Sequence, residues 1–295
     1  MPSIFIEPPL GRAIILLGDL GLGARLNMML SISLIEELKQ VGLKALELAR
    51  KTHLHRHFTI ESKGSLANLV TDIDRESENI LRESILEDRP DDSILGEEAT
   101  SISGSSDVCW YLDPLDGTTN FVHGYWGHAI SIGVTIDAKP TLGLILDTSR
   151  GTLYVGGKGL PATRDDELIR VSSRSTLGEC LLATGFLPDP ETRRKQASLL
   201  GEILPLVRDV RRTGSPALDL CSVAFGAVDI YYESGIGLID VCAGAAIVES
   251  AGGVVRKLDI SGLPTPVWVV GNQASTNNFI KAVRETGQWS ADELT

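Results

Sequence analysis

Two aspartates three positions apart, Asp113 and Asp116, follow directly on an apolar stretch at residues 108–112. They open the element Asp113-Pro114-Leu115-Asp116-Gly117-Thr118-Thr119-Asn120-Phe121. The apolar stretch predicts a short buried strand that delivers Asp113 at its end, where Pro114 breaks it. Asp116 then arrives on the same side of the turn, beside Gly117, which lets another backbone come close. Thr118-Thr119 can open a helix whose first N–H groups face an anion. Carboxylates this close repel and raise each other's pKa unless a cation lies between them. Oxygen donors without histidine or thiolate point to Mg²⁺ or Mn²⁺ rather than Zn²⁺. A turn that only caps a helix would use the same residues, so the rest of the chain has to decide.

The remaining pattern is that of layered α and β structure. Helices are expected over residues 34–49, 75–87, 191–207, 241–250 and 275–284, from apolar spacing and caps. Ser215 can cap a further helix with Pro216 at its first position. Strands are expected at residues 93–95, 108–112, 129–136, 142–146, 153–155, 210–212, 229–233 and 268–270. Residues 1–30 read as an extension of unknown role, and residues 31–290 as one catalytic domain with subdomains at about 31–170 and 171–290.

Charge narrows the function. The 295 residues carry 39 acidic and 27 basic side chains, a formal net charge of -12. That disfavours nucleic acid as a partner. It disfavours an anionic substrate too, unless some carboxylates hold cations. Cys109, Cys180, Cys221 and Cys242 form no C-x-x-C pair and read as reduced, mostly buried thiols. His53, His55 and His57 read as a solvated turn or strand edge. No apolar run is long enough for a membrane helix. Glu7 and Asp19 count against a leader sequence, so a cytoplasmic location is expected.

Three more acidic segments join the central element. They are Gly96-Glu97-Glu98 after a strand, Leu69-Val70-Thr71-Asp72-Ile73-Asp74 entering a helix, and Asp240 ahead of Ala251-Gly252-Gly253. Each alone is a turn or a cap. In this order and spacing the chain resembles the inositol monophosphatase family, within the lithium-sensitive, magnesium-dependent sugar phosphatases. The resemblance runs from about Leu34 to Val283 and includes Lys63 to Asp74, Trp110 to Phe121 and Gly214 to Leu220.

The resemblance implies a mixed α/β (α+β) layered αβαβα sandwich of the inositol monophosphatase and fructose-1,6-bisphosphatase type. It implies Mg²⁺-dependent hydrolysis of a small phosphate monoester by a homodimer. Glu97, Asp113 and the Leu115 carbonyl would hold one metal, and Asp113, Asp116 and Asp240 a second. A third, weaker metal would sit near Glu97. Thr118 and Asp74 would orient the attacking water, and the N–H groups of Gly117 and Thr118 would grip the phosphate. Gly214, Ser215 and Glu233 would line the substrate, Asp116 beside them, with Lys63 on a loop over the metals. Since no histidine or cysteine is placed for covalent catalysis, oriented charge must supply on the order of 20 kcal/mol or more of barrier reduction.

Three positions depart from the family pattern. Ile239 stands where many relatives have tryptophan, and Asn68 where aspartate is frequent. Pro216 replaces an alanine whose N–H meets substrate hydroxyls in relatives, and proline has none. Inositol phosphate is the first substrate expected. The alternatives are 3′-phosphoadenosine 5′-phosphate, a sugar bisphosphate or histidinol phosphate, or a non-catalytic regulatory protein of the same fold. An aspartyl-phosphate mechanism needs its aspartates two positions apart and is rejected.

Overall fold

The structure is a computed structural model that describes residues 22–54, 58–62, 69–287 and 289–294. The first helix, α1 (Leu22–Ala49), starts well before the expected residue 34 and so enters the stretch read as an extension. A hairpin of β1 (Ile60–Ser62) and β2 (Leu69–Thr71) leads into α2 (Asp72–Asp88). β3 (Ser93–Gly96) and β4 (Val108–Asp116) follow, then a single short turn of helix, α3 (Thr118–Val122). The meander β5 (Ala129–Ile136), β6 (Lys139–Asp147), β7 (Thr152–Gly157), β8 (Leu160–Arg164) and β9 (Glu167–Leu168) completes a seven-stranded sheet in sequence order.

The second half builds a six-stranded sheet whose order departs from the sequence: β11-β10-β12-β14-β13-β15. Its strands are β10 (Leu181–Thr184), β11 (Asp209–Arg211), β12 (Ile230–Ser234), β13 (Val254–Ile260), β14 (Val267–Gly271) and β15 (Ala291–Glu293). Its helices are α4 (Pro190–Ile203), α5 (Pro216–Ala224), α6 (Leu238–Ser250) and α7 (Gln273–Glu285).

Side-chain alternation along the strands separates three cores. Ile130, Ile132 and Val134 of β5 join Leu142, Leu144 and Leu146 of β6 against Ile35 and Leu38 of α1 and Leu81 and Ile85 of α2. Ala129 and Ile145, on the opposite face, meet α5 and α6, which also cover Tyr231, Trp268 and Val270 of the second sheet. Tyr232, Val267 and Val269 face outward onto Leu199 of α4 and Phe279 of α7. Helices, sheet, helices, sheet and helices therefore stack in five layers, as the αβαβα expectation states.

The central helix α6 is buried all round from Val241 to Val248 and lies almost on the first sheet. A Cβ at Gly133 would stand 2.6 Å from the Cys242 Cβ, and one at Gly143 only 2.0 Å from the Ala243 carbonyl oxygen. This close approach fixes where the helix begins, and hence where Asp240 sits.

Two expectations need correction. Pro114 does not end its strand: β4 runs through Asp116, with Asp113 opposite Ser131 and Asp116 opposite Ala129. Three steps on β4 thus match two on β5, a bulge that absorbs the proline where no ladder N–H is needed. The histidines are not uniformly solvated either, because His53 is buried. Its Nε2 lies 2.9 Å from the Pro114 carbonyl and its Nδ1 3.2 Å from Thr148 Oγ1. His55 and His57 lie outside the described residues. All four cysteines are thiols, three of them buried and Cys109 half-buried, as expected.

Candidate active site

The bulge brings the acidic element at the end of β4 against the start of α5. Asp113 is 2% exposed and Asp116 5%. Both are pushed well above the usual carboxylate range, chiefly by burial. For Asp113 the next causes are the charges of Glu97, Asp116, Asp240 and Asp74; for Asp116, those of Asp240 and Glu233 act against donors from Ser215 and Ala217. Residues spread from position 74 to position 240 thus share one electrostatic site. Among the described residues, no three acidic, histidine or cysteine side chains close into a tight ready-made cluster.

Most of the implied ligands also commit an oxygen to the frame. Asp113 Oδ1 accepts the Leu115 N–H at 3.1 Å. Asp116 Oδ2 accepts from Ser215 Oγ at 2.5 Å and from the Ala217 N–H at 2.8 Å. Asp240 Oδ2 accepts the Gly237 N–H at 2.8 Å, in the first turn of α6, while burial raises its pKa. Glu97 is exposed at the end of β3, its N–H donated to the Leu112 carbonyl at 3.2 Å. Carboxylates and a carbonyl oriented by outer hydrogen bonds are the donor set of a hard divalent cation, so these residues fit Mg²⁺.

The pair expected to orient water is in contact. Thr118 Oγ1 lies 3.1 Å from Asp74 Oδ1 and 3.0 Å from the Leu115 carbonyl oxygen. Asp74 also serves the fold: its Oδ2 accepts the Thr71 N–H at 2.7 Å and the Thr71 hydroxyl at 2.5 Å, closing the start of α2. Burial, with a smaller push from the charge of Glu98, raises the Asp74 pKa against those bonds. Between them Gly117 has φ 87°, and a Cβ there would stand 2.6 Å from the Gly127 carbonyl oxygen. Only glycine fits.

The second sheet supplies the other wall. Glu233, buried on β12, accepts the Tyr231 hydroxyl at 2.8 Å. Burial, reinforced by the charge of Asp240, lifts its pKa to about 7, against the Tyr231 bond and the nearby Arg212. Gly214, with φ 90°, precedes Ser215, whose hydroxyl donates to Asp116 and accepts the Leu218 N–H at 3.2 Å. Ser215 is therefore a brace between the acidic element and α5. Pro216 occupies the first position of α5, and the next N–H, that of Ala217, goes to Asp116. Lys63 and Asn68 lie outside the described residues.

Several contributors carry little sequence signal. His53, donating from Nε2 because a carbonyl only accepts, steadies Pro114 together with Ser77 Oγ at 3.4 Å. Burial, helped by the charge of His128, lowers the His53 pKa to about 4. Asn120 donates to the Gly127 and Thr213 carbonyls at 2.7 and 2.8 Å, tying the acidic element to the Gly214 turn. Glu78 accepts the N–H groups of Glu98 and Ala99 at 2.7 and 3.0 Å. Its place four residues after Asp74 was the one available hint that both share a helix face.

A five-layer αβαβα sandwich with buried carboxylates and a Thr–Asp pair around a strand end defines a class of metal-assisted phosphate-ester hydrolases. Residues 33–288 match the sequence model of the inositol monophosphatase family. The chain belongs to that family, whose members are phosphoric monoester hydrolases. It is 42% identical over 202 residues to the inositol-1-monophosphatase SuhB of Mycobacterium tuberculosis, covering 65% of this chain and 70% of that one. It is 36% identical over 233 residues to the Nus factor SuhB of Pasteurella multocida, covering 78% and 85%. The solved inositol monophosphatase of Anabaena superposes with a TM-score of 0.74 at 34% identity, covering 85% of this chain and 96% of that one.

Proposed function

We propose that the protein hydrolyses a small phosphate monoester with Mg²⁺, myo-inositol monophosphate being the first candidate. The observation that carries this reading is the 3.1 Å contact between Thr118 Oγ1 and Asp74 Oδ1, set beside the carboxylates that would hold the ions. Glu97, Asp113 and the Leu115 carbonyl would hold one Mg²⁺, and Asp113, Asp116 and Asp240 a second; the family resemblance implies a third, weaker ion near Glu97, with Mn²⁺ as a substitute. When bound, the ions supply a lowered pKa for coordinated water and charge stabilisation for the attacking and leaving oxygens. Thr118 Oγ1 takes a proton from the attacking water while passing its own to Asp74 Oδ1, whose burial makes it a stronger base than an ordinary carboxylate. The N–H groups of Gly117 and Thr118 orient the phosphate, and Glu233 with the Gly214-Ser215 turn receives the alcohol. Lys63 would lie on a loop over the ions.

The family resemblance supports a homodimer and a single catalytic domain running to about residue 290, whose first helix, α1, reaches back to Leu22. No helix among the described residues is long and apolar enough to cross a membrane. We take the cytoplasm as the site of action. A regulatory role is the second reading, favoured by the similarity to a relative named Nus factor SuhB. The two are separated by phosphate release from inositol, nucleotide, sugar and histidinol phosphates, each with and without Mg²⁺. Mg²⁺-dependent release, fastest from inositol phosphate, is expected. No release from any of them would discard the enzymatic reading.

A further inference from the structure

The face of α2 that carries Asp74 continues one turn later with Glu78 and another turn later with Arg82. Glu78 is fully buried. Its two oxygens point at the segment after β3. Oε2 accepts the Glu98 N–H at 2.7 Å and Oε1 accepts the Ala99 N–H at 3.0 Å. Arg82 closes the arrangement, with Nη1 3.4 Å from Glu78 Oε1 and Nη2 donating to the Thr100 carbonyl at 2.6 Å.

Sequence and packing agree on how specific this is. A Cβ at Gly96 would stand 2.0 Å from Glu78 Oε1 and 2.3 Å from its carboxyl carbon, so the carboxylate occupies the space that any side chain at 96 would need. The Glu97 N–H is itself tied to Leu112 of β4 at 3.2 Å. Three successive amides, Glu97, Glu98 and Ala99, are thus anchored, one by the sheet and two by Glu78. The backbone on both sides of the Glu97 side chain is fixed relative to the helix that also presents Asp74. A buried carboxylate receiving two backbone N–H groups is a strong, directional anchor.

We propose that Glu78 is a positioning residue for the metal centre: through the amides of Glu98 and Ala99 it holds Glu97 where a divalent cation is bound. This rests on the reading of Glu97 as a Mg²⁺ ligand. Mg²⁺ tolerates little departure from octahedral geometry, and losing an outer partner of a ligand typically weakens metal binding about 10- to 100-fold. A purely structural role would lower the melting temperature and leave ion affinity unchanged.

The test is Mg²⁺ titrated calorimetrically into the metal-free full-length chain, beside thermal melts and phosphate release at varied Mg²⁺. In Glu78→Gln an NH₂ group replaces one acceptor. The dissociation constant and the half-saturating Mg²⁺ concentration are then expected to rise together, about tenfold or more, with kcat at saturating Mg²⁺ within about twofold of the parent. Arg82→Gln, which loosens the same segment from its outer edge, is expected to give about a threefold rise and serves if the first variant does not fold. A folded variant that binds Mg²⁺ as the parent does overturns the proposal while the phosphatase reading stands. A parent that neither binds Mg²⁺ nor releases phosphate sinks that reading, and the role of Glu78 with it.

Discussion

The two walls of the site are built differently. On the side of the first sheet the acidic element is braced from beneath. His53 and Ser77 hold the Pro114 carbonyl, Asn120 ties the element to the Gly214 turn, and Glu78 anchors the segment carrying Glu97. On the side of the second sheet, Glu233 is held by Tyr231, and Pro216, with no N–H to donate, opens α5. Apart from Asp240, the groups assigned to the ions, the attacking water and the phosphate belong to the first wall, and those assigned to the alcohol belong to the second. The walls meet where Ser215 and the Ala217 N–H hold Asp116 and where Asn120 holds the Thr213 carbonyl, and away from those braces reaction type and substrate choice rest on different packing.

The sharpest test of that division is Asp113→Asn. Activity should fall at least ~1,000-fold, because several kcal/mol of charge stabilisation goes with the ligand. The same variant should melt higher than the parent in EDTA, since it removes one of the mutually repelling buried carboxylates. Unchanged turnover would break the assignment of chemistry to the first wall.

The bracing itself has a pH signature. Burial lowers His53 to about 4 in the folded chain, against an ordinary value of 6.5 when unfolded. A lowered folded pKa means that the neutral ring's contribution is fully present above pH 6.5 and is lost as pH falls towards 4. The loss amounts to roughly 3 kcal/mol, or about 150-fold in the folded-to-unfolded ratio. Urea denaturation at pH 7 and pH 4 should show this component in the parent and not in His53→Gln, whose amide can still donate to Pro114. An equal acid loss in both proteins would place the ring outside the brace.

Thr118→Ala should lower kcat about 100-fold, the scale of a lost proton-transfer partner, with Mg²⁺ affinity and melting temperature kept. If kcat holds, water is oriented by some other group. The smallest effect belongs to the second wall. Pro216→Ala restores an N–H at the start of α5 and should lower KM for inositol phosphate about threefold, a single modest hydrogen bond. Phosphate release from p-nitrophenyl phosphate should not change. A change in kcat for both substrates would show that the walls are coupled.

Much of the layering was legible from pattern alone. The strand at residues 129–136 and the cap at Ser215 stand where periodicity and cap chemistry put them. β13 went unread because Arg256, Lys257 and Asp259 interrupt its apolar pattern, and β10, Leu181–Thr184, because Leu-Leu-Ala does not alternate and the strand ends in Ala and Thr rather than in a β-branched apolar run. The early start of α1 was missed because Gly23 and the weakly periodic residues after it carry no helix-start signal.

What the chain determines on its own is the kind of chemistry. Carboxylates clustered beside Gly117 and Thr118 call for a counter-ion, because that demand of close negative charges is a local property. What folding alone decided is which polar groups support them. Glu78, His53 and Asn120 find their partners across 20, 61 and 93 residues. Such partnerships follow from how α2, the bulge in β4 and the Gly214 turn pack against one another, and packing over those distances leaves no periodic mark in a sequence.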